Sequence, residues 1–375
     1  MIYFFTFGIS TLTSLLSEIL IRESPLGRRD VRACFFAALT VFEVGILSGI
    51  RDYSIGTDIQ VYGNQVFSYA VQSHSITKFL NLCVNDIGMT EKGYALLNYI
   101  VAIFSSNPHF LYFILGLLTN GLIYYGLLRL HNVCSISIAW LTYLLVFYAS
   151  TLNLLRQSLA IAIIFVMCTY AFSRRYVTSI CLIVVAYSFH HSAIVGIYLL
   201  FFIWLFQREK TEYRNLPLML LFSFLTALMP VAISWLNSAG YMEDKYSQYV
   251  INISSPISLL NSILIRIPFV IMALFLIVKH SRIPALKQSI YIFIIGEMLL
   301  LPLQLVSATA FRISLYFGIF KIVAYPSILK EIRTINIGKH IVYVAYLLFY
   351  FVWQIIIQGS NEVFPFIIAN DLSII

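Results

Sequence analysis

Apolar runs near the length of a membrane crossing follow one another through almost the whole chain, and this limits what it can fold into. Hydrocarbon offers no partner to a free backbone N–H or C=O, so such runs become helices. Any long polar segment between them must lie in water or in a wet cavity beside the bilayer. One long polar interval stands near the start, residues 51–92, RDYSIGTDIQVYGNQVFSYAVQSHSITKFLNLCVNDIGMTEK. Chemistry is expected on its side of the membrane.

With 60% hydrophobic and 11% charged residues, the 375-residue chain falls outside the soluble range and reads as an all-α polytopic membrane protein, a single transmembrane domain over 1–375. Its formal charge of +8 sits in short basic clusters between apolar runs, the distribution of membrane topology rather than of a nucleic-acid surface. Nucleic acid is therefore excluded as a partner. The five cysteines have no paired spacing, so neither a disulfide framework nor a metal knuckle is signalled. Residues 2–20 are apolar, but the basic cluster follows rather than precedes them, which reverses a cleavable signal peptide and predicts a retained first helix.

About twelve spans are expected, at 2–20, 33–50, 109–128, 135–150, 157–173, 176–189, 192–207, 216–235, 259–278, 288–306, 313–329 and 340–358. The apolar stretch 93–105 is short and ends in the turn signal SNPH. If it does not span, Arg22, Arg28, Arg29, Arg32, Arg129, Arg174, Arg175, Arg208, Lys210, Arg214, Lys279, Arg282, Lys287, Lys330, Arg333 and Lys339 share one face, the cytoplasmic one. If it does span, the first cluster and the rest fall on opposite faces, so 93–105 is expected to be an interfacial or re-entrant helix. The outer face then holds a periplasmic loop at 51–106, a second at 236–257 and the tail at 359–375.

Several cations are left unexplained by topology. Arg156 and Arg312 sit at the outer lips of two spans, where snorkelling competes with anion binding at a helix start. Arg266 lies deeper and needs a partner, with Glu43 and Glu297 at a comparable depth. Arg51 opens the polar interval and Lys92 closes it. Guanidinium forks suit phosphate oxygens, so a diphosphate is the natural anion for this set. His190 and His191 form a turn between two spans, either a wet interfacial turn or a phosphate or sugar contact. Asp58 in SIGTDIQVY is the best-placed carboxylate, as a proton acceptor or as a helix cap, with Asp52, Asp86 and Glu91 as lesser candidates.

Five groups of residues, in this order, resemble the EpsG group of bacterial polysaccharide polymerases, proteins of the Wzy type. They are Arg51 with Gly56-Thr57-Asp58 and Tyr62; Glu91-Lys92-Gly93-Tyr94 with Leu97-Asn98; Leu155-Arg156-Gln157 with Ala160; Phe189-His190-His191-Ser192-Ala193; and Asn361 to Phe366. The tail departs from the pattern at Val363 and Phe364 and receives no role. The resemblance implies a fold related to lipid-donor (GT-C-like) glycosyltransferases, in the bacterial inner membrane with its active site facing the periplasm. It implies transfer of a glycan from undecaprenyl diphosphate to the non-reducing end of another lipid-linked repeat unit, in O-antigen, capsule or exopolysaccharide synthesis. A chain-length regulator and a flippase of the same pathway would be partners, and no cofactor is implied.

Under that resemblance Asp58 and His191 are the expected catalytic residues, and Arg51 and Arg156 bind substrate; His190, Arg266, Arg312 and Lys92 join them as substrate-binding residues on position alone. No metal is expected, since no acidic pair with ligand spacing lies on the outer face. Two other readings stay open, a flippase or transporter for lipid-linked oligosaccharide and an O-antigen ligase. A transporter of this size commonly shows two related halves, and the sequence shows none.

Overall fold

The computed structural model describes residues 1–23, 30–208, 215–238, 255–279, 284–305, 311–332 and 336–370. In chain order the helices are α1 (Ile2–Glu23), α2 (Val31–Ile50), α3 (Asn64–Gln72), α4 (Ile76–Ile87), α5 (Lys92–Phe104), α6 (Pro108–Arg129), α7 (Ile136–Val146), α8 (Tyr148–Asn153) and α9 (Leu155–Phe172). They continue as α10 (Tyr176–Phe189), α11 (Val195–Arg208), α12 (Asn215–Ser238), α13 (Pro256–Lys279), α14 (Ala285–Leu300), α15 (Leu315–Gly318), α16 (Lys321–Glu331) and α17 (Asn336–Phe351).

Among the described residues nine helical stretches are long and apolar enough to cross a bilayer, and the protein is a multi-pass membrane protein. Three of the expected spans appear differently. The run 135–150 is divided into α7 and α8 at Phe147, 176–189 is the shorter α10, and 216–235 lies within α12, which has the apolar stretch Leu220–Met229. The stretch 93–105 is α5, one of the short helices. Most of the expected loop 236–257 and part of the tail, 371–375, lie outside the described residues, as do Arg28, Arg29, Lys210, Arg214, Arg282 and Arg333.

Packing divides the chain into two compact units, the first formed by Met1–Thr169, Ile180–Ile194 and Thr334–Ile375. In it α2 lies against both α1 and α6. Small residues let these helices approach: a Cβ on Gly116 would stand 2.6 Å from the Ser48 side chain. Buried hydroxyls join the elements, with Ser10 Oγ donating to Thr40 O at 2.8 Å and accepting from Trp140 Nε1 at 2.9 Å. The buried Glu18 carboxylate accepts from Ser137 N at 2.9 Å and Ser135 Oγ at 2.8 Å, so it caps α7 from another helix.

Residues 51–106 are largely helical. A π-helical turn at Ile59–Gly63 leads into α3, and α3, α4 and α5 pack on one another around Phe67, Phe79, Cys83 and Tyr94, all buried. Phe79 and Cys83 stand four apart, on one face of α4. The tail returns to the start of this interval: Asp52 N donates to Ile367 O at 2.9 Å, Ala369 N to Ile50 O at 2.9 Å, and Tyr3 Oη to Val363 O at 2.8 Å.

The second unit comprises Tyr170–Ser179 and Val195–Arg333. Its core is aromatic, with Phe202 and Phe222 ring centroids 4.9 Å apart and Phe293 and Phe320 at 4.8 Å. Within it Arg266, Glu297 and Lys321 are buried together. Arg266 Nε donates to Glu297 Oε1 at 3.1 Å, Lys321 Nζ donates to the same oxygen, and Arg266 Nη1 donates to Ser262 O at 2.7 Å. Of the two acids expected opposite Arg266, Glu297 is the partner found, while Glu43 accepts from Thr13 Oγ1 at 3.1 Å.

Candidate functional site

The first unit gathers its sequence-marked residues around the start of α9. Between α8 and α9 the chain breaks at Leu154 (φ −100°, ψ 77°), and the turn that opens the polar interval holds both sides of the break. Arg51 Nη1 donates to Leu152 O, Thr57 N donates to Asn153 Oδ1 at 2.8 Å, and Leu155 N donates to Asp58 Oδ2 at 3.0 Å. Gly56 makes this fit possible: its φ is +91°, and a Cβ there would lie 2.4 Å from Leu152 O. Residues nearly a hundred apart thus fix where α9 begins.

Arg156, the second residue of α9, is held on three sides. Its Nη1 donates to Glu91 Oε2 at 2.8 Å, its Cζ lies 4.2 Å from the Tyr62 ring centroid, and the Tyr62 hydroxyl donates to Asp58 Oδ2. Burial first, and then the neighbouring Asp58 charge, push the Tyr62 phenol well above its ordinary value, so it remains a donor. Tyr94 packs edge-on to Tyr62 with centroids 6.0 Å apart, and burial raises its phenol as well. Tyr94 Oη and Arg156 Nε are both buried with no hydrogen-bond partner, and the Arg156 charge acts on the Tyr94 phenol.

Arg51 is buried at 1% exposure, with its Cζ 5.3 Å from the Tyr112 ring centroid. Burial lowers its pKa, which the surrounding tyrosines, Tyr112 foremost, oppose. Its Nε has no hydrogen-bond partner, and it borders a small cavity lined by Ser48, Tyr112, Thr119 and Thr151. Lys92 is exposed at the start of α5, next to Glu91. The histidine turn comes near this segment because Gly93 admits Ser188: a Cβ on Gly93 would stand 2.3 Å from Ser188 Oγ. His190 and His191 are half-buried; His190 Nδ1 lies 2.7 Å from Ser192 Oγ, and His191 stacks on Tyr187 at 4.8 Å.

Of the expected site residues, Arg51, Asp58, Lys92, Arg156, His190 and His191 belong to the first unit, and Arg266 and Arg312 to the second. Arg312 is half-buried in the short 3-10 turn Arg312–Ser314. Sequence reasoning kept Glu91 as a lesser candidate and left Tyr62, Tyr94 and Asn153 without roles. For Glu91, Tyr62 and Tyr94 the one signal was position inside the motif groups, because the ion pair joins residues 65 apart; Asn153 lies outside those groups and carried no signal. Among the described residues no three His, Cys, Asp or Glu side chains converge as metal ligands would.

The arrangement places a guanidinium at a helix N-terminus, over a tyrosine ring and against one carboxylate, and both a guanidinium and a helix N-terminus suit oxyanions in general. The family model for the EpsG family matches residues 34–368. No curated protein and no solved structure matches the chain.

Proposed function

The chain belongs to the EpsG family, and from that premise we propose that it is a polysaccharide polymerase. It is an integral-membrane glycosyltransferase that moves a glycan from undecaprenyl diphosphate to the non-reducing end of another lipid-linked repeat unit, at the periplasmic face of a bacterial inner membrane. About twelve crossings, with residues 51–106, 236–257 and 359–375 outside, belong to the same proposal. A chain-length regulator and the flippase that delivers the repeat unit are its partners.

The observation that carries this reading is the setting of Arg156, at the first turn of α9 over Tyr62, with its Nε unpartnered and with the unpartnered Tyr94 hydroxyl on the ring packed against Tyr62. In the transfer, the bond from the anomeric carbon to the diphosphate oxygen breaks and negative charge grows on the leaving oxygen. A guanidinium held where that charge develops lowers the barrier without reorganising. Asp58, whose Oδ2 already accepts from Leu155 N and Tyr62 Oη, is a positioning residue that sets both the helix start and the ring under Arg156. The His190–His191 turn, near residues 91–93, contacts phosphate or sugar. Arg51 fixes the α8–α9 break. Arg266, locked on Glu297, is assigned to the integrity of its own unit.

Replacing Arg156 by alanine in cells tests the reading. Loss of long glycan, with single lipid-linked repeats still reaching the outer leaflet, is the expected result. Repeats retained on the inner leaflet would point to a flippase instead, and free lipid-linked polymer to a ligase.

A further inference from the structure

Two carboxylates act on Arg156, Glu91 in direct contact and Asp58 through its charge, and they are held very differently. Asp58 Oδ2 is fixed by a backbone N–H at 3.0 Å and by the Tyr62 hydroxyl. Glu91 is the N-cap residue of α5, yet its carboxylate makes no bond to that helix and instead accepts from Arg156 Nη1. The pair is partly open to solvent, with side-chain exposures of 21% for Arg156 and 11% for Glu91. In a mostly buried pair like this one, Glu91 can leave the guanidinium only as another anion takes its place, so the contact is suited to exchange rather than to simple opening. Around it stand two buried donors with no acceptor, Arg156 Nε and Tyr94 Oη, in a place where an oxyanion with more lone pairs than a carboxylate finds partners at once.

We propose that Glu91 is the exchangeable counter-ion of Arg156: a diphosphate oxygen replaces it on the guanidinium and also meets Arg156 Nε and Tyr94 Oη, and the freed Glu91 carboxylate accepts the proton of the acceptor hydroxyl. This rests on the polymerase reading above. The acceptor oxygen bonds to the anomeric carbon as that carbon parts from the diphosphate. The bonding pair leaves with the diphosphate, whose charge Arg156 holds, and the hydroxyl proton goes to Glu91. Binding of the donor thereby produces the base that the reaction needs.

The test uses full-length protein in nanodiscs, titrated with inorganic pyrophosphate and with farnesyl diphosphate, alongside a polymerisation assay. Glu91→Gln removes the competing charge, so it binds both probes about three- to tenfold more tightly than wild type. It also polymerises at least about 100-fold more slowly. A merely structural glutamate would lose both together. Tyr94→Phe weakens binding a few-fold. Binding of Glu91→Gln no tighter than wild type, or turnover within about tenfold of it, overturns the proposal. If Glu91→Gln does not fold, Glu91→Asp, one methylene short of Arg156, carries the test, with tighter binding expected and unchanged binding overturning it. Equal affinity for the two probes would overturn a lipid-linked donor. Undiminished binding by Arg156→Gln would instead sink the polymerase site itself, whatever Glu91 does.

Discussion

Asp58 caps the helix that carries Arg156: its Oδ2 accepts Leu155 N at 3.0 Å across 97 positions of sequence. The same oxygen accepts the hydroxyl of Tyr62, the ring beneath the Arg156 guanidinium. One carboxylate therefore sets both the origin of the helix and the floor of the site.

Asparagine at position 58 keeps an oxygen for both contacts, whereas alanine keeps none. Asp58→Ala should lower stability by about 1–2 kcal/mol, and Asp58→Asn by less than half of that. Thermal unfolding of purified protein, read beside polymerisation, checks this. Equal loss of activity in both variants, with stability intact in Asp58→Asn, would make Asp58 the proton acceptor instead.

Arg51→Met removes a buried guanidinium and leaves Leu152 O without its donor. We expect destabilisation of about 2–4 kcal/mol, with weaker diphosphate binding because the α8–α9 break shifts under Arg156. Arg51→Lys should rescue little, since a point charge does not reproduce the fork. A denaturation midpoint unchanged in Arg51→Met would remove Arg51 from this role.

Gly56→Ala places a methyl group 2.4 Å from Leu152 O at a φ of +91°. Strain and clash together should cost about 2 kcal/mol or more and reduce the yield of folded protein in membranes. Fluorescence-detected size exclusion measures that yield directly.

In the second unit, Glu297→Gln leaves two buried cations on one neutral amide. A loss of about 3–5 kcal/mol is expected, and Glu297→Gln combined with Lys321→Met should be more stable than Glu297→Gln alone. A double-mutant cycle reads the coupling.

Cys83 lies in the core of the 51–106 segment, and burial pushes its thiol up to about 11. Below that pH the reactive thiolate is scarce in the folded protein, so modification by N-ethylmaleimide at pH 7.5 should be slow and should accelerate on unfolding. Mass spectrometry of the cysteine peptides decides it.

The membrane character of this chain was legible in composition and run length, because a bilayer accepts only segments that satisfy their own backbone, and that requirement is local. The family resemblance was legible too, since its motif groups lie in order along the chain. What Arg156 faces was not. Glu91 and Tyr62 reach it from 65 and 94 positions away, and Asp58 reaches the neighbouring Leu155 N from 97, through side chains whose local patterns are ordinary. Arg51 carries the same lesson: placed by its position at the mouth of the polar interval, it is buried against Leu152 O and Tyr112. Apolar periodicity states which residues avoid water. Which donor meets which acceptor is settled only when helices distant in sequence pack, because a hydrogen bond depends on a few tenths of an ångström that no local propensity encodes.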